Sequence, residues 1–237
     1  IALTGLFPYV GFMVIDIGAA KSTDDAGYYS GTLASAMMFG RFFSSFWWGQ
    51  FADSYGRKPA LMIGCVTVAA MSILFGLSTN IEMALVARLF LGLFNPIWST
   101  AKTLVSELCS REHEARAMGL TAGCWSLGMV FGPMLGGLLA NPAKLYPDTF
   151  GGIGIFEEFP YLLPNLVTAG MGIAACGLVY VFLPETLYEH VSGDGHMSEG
   201  AKPTQRGATI VELLNTPGVT PALTAYFVLC FIDLSFN

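Results

Sequence analysis

The chain has 237 residues, of which 54% are hydrophobic and only 12% charged, with a formal net charge of −6. Soluble globular domains carry about 25% charged residues, so this chain cannot cover a water-facing surface and must present apolar residues to lipid. The acidic balance excludes a nucleic-acid face, and the five cysteines show neither a disulfide framework nor zinc-ligand spacing.

Taken in order, residues 1–20 are apolar as far as Ile15 and then meet Asp16, as in the later part of a first helix. Residues 21–27 read as a short polar loop and 28–52 as a second apolar run interrupted by Arg41. The stretch 48–59, WGQFADSYGRKP, follows. In it Gly49 and Gly56 permit close backbone approach and a tight turn. Asp53 is suited to accept from N–H groups at a helix start, Arg57 and Lys58 form a basic pair, and Pro59 suits a first helical turn. Residues 60–77 form a third run, 78–80 a turn, and 81–104 a fourth run carrying Arg88 and Lys102. The segment 106–116 is charged, and 117–140 is a glycine-rich fifth run. A polar loop at 141–159 precedes a sixth run at 160–183. Residues 184–217 are hydrophilic, and 218–237 begin a seventh run. The apolar start at Ile1 and the end at Asn237 read as a fragment cut within a helix at each end.

A spanning helix needs about 20 mainly apolar residues, and runs of this length without alternation are helices rather than barrel strands. The loops with Arg57 and Lys58, Arg111 and Arg116, and Lys202 and Arg206 fall on one side, which the positive-inside rule assigns to the cytoplasm. The opposite loops hold only Lys21 and Lys144.

Arg41 and Arg88 lie deep in apolar runs, where a charge costs about 2.5–3.5 kcal/mol on insertion scales. Such residues line a watery cavity or bond backbone carbonyls between helices. Lys102, nearer a helix end, is placed to snorkel. In the fifth run, Gly128, Gly132 and Gly136 recur every four residues, with Pro133 and Gly137 beside them. That spacing puts small residues on one face, and Pro133 removes a helix hydrogen bond. Asp16 and Asp233 are weaker proton-carrier candidates, Glu82 begins the fourth run as an exposed residue, and His113, His190 and His196 all lie in loops. No metal site or cofactor is expected.

These residues together resemble the major facilitator superfamily. Gly49, Asp53, Gly56, Arg57 and Lys58 match its signature between helices two and three. Arg88 with Gly92 is similar to its fourth-helix motif, and Gly128, Gly132, Pro133, Gly136 and Gly137 to the fifth-helix motif of its proton-coupled antiporters. Pro184-Glu185-Thr186 is similar to a common family ending after helix six. A narrower resemblance is to the zinc-induced facilitator-like branch, through Leu6-Phe7-Pro8-Tyr9, Met38-Phe39-Gly40-Arg41, the 48–59 stretch and Pro160-Tyr161-Leu162-Leu163-Pro164.

The resemblance implies an all-α membrane protein with the major facilitator fold. Residues 1–183 would be the N-terminal six-helix bundle of inverted three-helix repeats, 184–217 a cytoplasmic central loop, and 218–237 the start of helix seven. It implies a multi-pass transporter of the plasma or vacuolar membrane, working as a monomer on small organic solutes and protons, and not an enzyme. Asp53 and Arg57 would latch the cytoplasmic side, with Glu107 as the partner of Arg57. Arg88 would couple protonation to the cavity, and the fifth-helix glycines would form a sliding surface between halves. A passive channel and a membrane-embedded enzyme are the competing readings. Neither a ring of like charges nor a nucleophile–base or HExxH set is present to favour them.

Overall fold

A computed structural model describes residues 4–108, 114–150 and 152–183, which lie within one compact unit, Ile1–Ser192. The expected boundaries at 184 and 217, the seventh run, the Pro184-Glu185-Thr186 ending, Arg111, Lys202, Arg206, the three histidines and Asp233 lie outside the described residues. Among the described residues every regular element is a helix. They are α1 (Phe7–Asp16), α2 (Thr23–Tyr55), α3 (Arg57–Gly76), α4 (Ile81–Leu93), α5 (Ile97–Leu108) and α6 (Glu114–Leu139). The short α7 (Pro142–Leu145), α8 (Pro147–Phe150) and α9 (Gly154–Glu158) precede α10 (Leu162–Phe182).

The sequence misplaces several boundaries, for identifiable reasons. α2 begins inside the expected loop at 21–27, because Ser22 caps it by accepting from the Asp25 N–H at 3.2 Å, and Asp24 and Asp25 complement the helix dipole. The fourth run is not one helix: it breaks at residues 94–96, where Pro96 cannot donate. α6, by contrast, continues through Pro133. The expected loop at 141–159 carries the three short helices. Among the described residues four segments are long and apolar enough to span a bilayer: Arg57–Gly76, Ile81–Glu107, Ala115–Leu139 and Leu162–Phe182. α1 is shorter. α2, at 33 residues, is about 50 Å long but diluted by small polar residues. Ser30 and Thr32 satisfy their hydroxyls on the carbonyls of Ala26 (2.6 Å) and Tyr28 (2.9 Å), one turn back.

Counting α4 with α5 as one span gives two sets of three: α1, α2, α3 and then α4–α5, α6, α10. An odd number of crossings reverses the sense of the second set relative to the first. The packing respects that exchange. α3 lies along α10, α2 along α4, and α1 along α6; swapping the sets maps the first pairing onto itself and the other two onto each other. Both exchanged pairings rest on glycine. A Cβ on Gly92 would lie 2.0 Å from the Met37 carbonyl oxygen, and one on Gly136 would lie 1.8 Å from that of Gly5. Such approach is how helices associate where no hydrophobic effect drives them together.

At the end away from Arg57, α1 and α10 are tied by polar groups. The Tyr161 hydroxyl donates to Asp16 Oδ2, and the Tyr161 ring stacks on Tyr9 at 5.5 Å. Asn165 Nδ2 donates to Tyr9 Oη at 3.1 Å and to the Tyr161 carbonyl at 2.8 Å. Tyr161 precedes the spanning helix, and burial together with the Asp16 carboxylate pushes its phenol above the ordinary range.

Three substitutions test these contacts. Gly92→Leu should abolish recovery of monodisperse protein in detergent, because backbone cannot retreat from a Cβ at that distance. Gly49→Ala, a helical site with nothing within 4 Å of its Cβ position, should melt within about 1 kcal/mol of wild type, or above it; fluorescence-detected size exclusion after heating reads both. Tyr161→Phe should destabilise by about 1 kcal/mol in the same assay, the usual net worth of one hydrogen bond.

Candidate functional site

The site is built on the single residue between α2 and α3. Gly56 has φ of 108°, a backbone conformation that favours glycine, and it turns the chain so tightly that Arg57 starts the next helix. A cation at a helix N-terminus opposes the dipole, and the structure surrounds it with acceptors. Arg57 Nη2 lies 2.6 Å from Glu107 Oε1 while Nε donates to Glu107 Oε2 at 3.2 Å, a two-point pairing. Nη2 also lies 3.0 Å from Asp53 Oδ1, and Nη1 donates to the Ala52 carbonyl at 2.6 Å. One guanidinium therefore joins the last turn of α2, the first of α3 and the last of α5.

The two acids differ in surroundings. The Arg57 side chain is 11% exposed, that of Glu107 24% and that of Asp53 51%. The Glu107 pairing is the less screened by solvent and the stronger of the two. Asp53 turns to Arg57 one helical turn on. Lys58, the other half of the basic pair, points elsewhere: its Nζ donates to the Tyr180 carbonyl at 2.8 Å, in the last turn of α10, where a cation suits the helix dipole.

Gly49 lies on an exposed face of α2, and among the described residues nothing lies within 4 Å of a Cβ built on it. Cys65 is buried, as a small apolar filler should be, whereas Cys124 is exposed on α6.

Arg88 is 3% exposed, with its guanidinium carbon 4.1 Å from the centroid of the Phe75 ring. That placement is favourable for a desolvated cation. It lines a narrow crevice with Tyr9, Asn165, Thr168, Gly132 and Gly136, so the buried arginine and part of the fifth-helix glycine motif meet at one place. Gly128 and Gly137 of that motif lie against the start of the described chain. The Gly128 carbonyl accepts from Thr4 Oγ1 at 3.4 Å, and a Cβ on Gly137 would sit 3.5 Å from Pro8. Arg41 is half-buried and lines a neighbouring cavity with Asn95, Trp98 and Trp125, Thr168 being common to this cavity and the crevice. Lys102 covers the Trp98 ring at 4.4 Å. Among the described residues no His, Cys, Asp and Glu cluster is placed to hold a metal ion.

Ser44 and Asn165, which contact these elements, are not singled out by the sequence, and Trp48 and Tyr9 enter there only as pieces of the family resemblance. Asn95-Pro96 inside an apolar run was a usable signal of a break. The partners of that break, 48 and 45 residues earlier in the chain on α2, carried no signal of that pairing.

The family model described as Major Facilitator Superfamily matches residues 1–237. The chain is 34% identical over 252 residues to Protein ZINC INDUCED FACILITATOR 1 of Arabidopsis thaliana, covering 99% of this chain and 51% of that one. It is 38% identical over 190 residues to the Major facilitator superfamily multidrug transporter mfsB of Aspergillus fumigatus, covering 78% of this chain and 31% of that one. The chain thus spans about half the length of the plant relative and less of the fungal one. Among solved structures, the crystal structure of the human organic anion transporter MFSD10 (TETRAN) matches with a TM-score of 0.59 at 20% identity. That likeness covers 79% of this chain and 45% of that one, and it speaks for the fold alone. With an all-helical bundle of paired three-helix sets, and a family match along its whole length, the chain belongs to the Major Facilitator Superfamily.

Proposed function

We propose that the full-length protein is a secondary active transporter that moves small organic solutes out of the cytoplasm in exchange for protons, by alternating access. The observation that carries this reading is the Arg57 junction. It joins the ends of three helices through charged contacts at one end of the bundle, and rearranging those contacts would change the surface which that end offers to the second half. In this reading Asp53, Arg57 and Glu107 form a cytoplasmic latch, with Gly56 setting the turn and Lys58 anchoring it to α10. Arg57, Lys58 and Arg116 at one end, against Lys21 and Lys144 at the other, support the orientation. The membrane is the plasma or vacuolar membrane, and one copy suffices.

Arg88 supplies the coupling element. A guanidinium this deep is costly in hydrocarbon, and the crevice beside it offers a place where its field meets a titrating group or solute. Arg41, in the neighbouring cavity, is the second cationic lining residue. Gly128, Gly132, Pro133, Gly136 and Gly137 keep α6 close to the start of α1, so that the face turned toward the second half of the transporter stays in register while the halves slide.

Coupled flux and the rates of three variants test this reading. In proteoliposomes loaded with a pH-sensitive dye, substrates found from a panel of organic acids and bases should drive proton movement, and collapsing the pH gradient should remove concentrative transport. Transport that ignores the gradient contradicts coupling. Arg57→Ala should lower the initial rate about tenfold, equivalent to ~1.4 kcal/mol, with unchanged protein in the membrane. Asp53→Asn should do so less, because its contact is half-solvated, and Arg57→Lys should recover only part of the rate, since an ammonium lacks the two-point fork.

A further inference from the structure

Pro96 interrupts the fourth span in a way that can be followed bond by bond. A continuous helix would use the N–H of residue 96 for the Gly92 carbonyl and that of residue 97 for the Leu93 carbonyl. Proline has no N–H, and the Ile97 N–H turns to Asn95 Oδ1 at 3.2 Å. Two carbonyls within the membrane thus lose their helical donors. Both are answered from α2. Ser44 Oγ donates to the Gly92 carbonyl at 3.4 Å, and Trp48 Nε1 to the Leu93 carbonyl at 2.7 Å. Ser44 and Trp48 are four apart and share a helix face. Gly40 lies one turn before Ser44, and a Cβ there would be 2.5 Å from the Leu89 carbonyl oxygen. The Trp48 ring also meets Phe94 edge-on at 6.4 Å.

The two pieces of the span carry different chemistry. α4 holds Arg88 and is pinned to α2 by the Gly40 and Gly92 crossing. α5 ends next to Glu107 and runs beside the cavity lined by Arg41, Asn95, Ile97, Trp98 and Trp125, which gives it room to move. We propose that the break at residues 94–96 is a joint on which α5 turns against α2, and that Ser44 and Trp48 are positioning residues that seat Glu107 against Arg57. The seating role rests on the latch reading given above; the joint does not. Ser44 and Trp48 touch neither solute nor proton. They act on the last two carbonyls of α4: while α2 satisfies these, neither needs the Ile97 N–H and α5 keeps its own direction, and once the bonds are lost the carbonyls compete to draw that N–H back.

The test uses the full-length protein in nanodiscs, with spin labels at Tyr55→Cys and Thr103→Cys in a cysteine-depleted background, read by electron–electron double resonance. Trp48→Phe keeps most of the ring and removes the indole N–H; Ser44→Ala removes one hydroxyl and remains available should the tryptophan variant fail to fold. Each should raise the population at longer separation about three- to tenfold, the effect of one lost hydrogen bond. Pro96→Ala restores a donor at residue 96 and allows Ile97 to return to Leu93, so in that background both substitutions should become silent. A generic packing role for the tryptophan would not be cancelled in this way. Distributions unchanged by Trp48→Phe and Ser44→Ala, or effects that persist with Pro96→Ala, overturn the joint. Arg57→Ala separates the two proposals: if it leaves the distance unchanged while Trp48→Phe shifts it, the latch falls and the joint stands.

Discussion

Hydrocarbon offers a backbone carbonyl nothing to bond, and the arrangement of this bundle follows from that one fact. Inside a helix the chain satisfies itself. Wherever it departs from helix within the membrane, a side chain from a neighbour has to arrive at hydrogen-bonding distance. The break in the fourth span is tolerated because α2 brings a hydroxyl and an indole to it. The same helix can approach so closely only because Gly40 and Gly92 remove the side chains that would hold the backbones apart. Glycine placement and polar satisfaction are thus two sides of one contact.

Charge obeys the same logic at greater cost. Arg57 sits where the helix dipole disfavours it, and it is kept there by two carboxylates and a carbonyl drawn from the ends of α2 and α5. Arg88 is buried against an aromatic face. The first arrangement is made of bonds that can be exchanged for water at the bundle end; the second lies where water has little access. That contrast favours the proposed latch at Arg57 and the proposed coupling at Arg88.

Much of this was legible in the residues. The apolar runs located the spans because lipid exposure demands them, and the stretch from Trp48 to Pro59 located the turn because Gly56 and the Arg57-Lys58 pair have few other uses there. Glu107 was identified through a family resemblance, and the coordinates place it on Arg57. What could not be read was anything depending on which helix faces which. Gly49 and Gly92 are both glycines in apolar runs, yet one is exposed and the other meets a carbonyl. Ser44 and Asn165 are ordinary small polar residues until the helices they reach are known. The start of α2 was missed because a serine cap and two acids look like a loop when the helix behind them is not yet visible.

The divided fourth span also bears on how the protein is made. Its pieces have 13 and 12 residues, each about 20 Å long, short of the hydrocarbon thickness of about 30 Å. Neither piece could settle across a bilayer alone, and the junction between them exposes backbone that lipid rejects. Its companion, α2, lies earlier in the chain and so leaves the ribosome first. The order of synthesis therefore delivers the donors before the acceptors, and the awkward segment enters a membrane in which its chaperone is already a part of the same polypeptide.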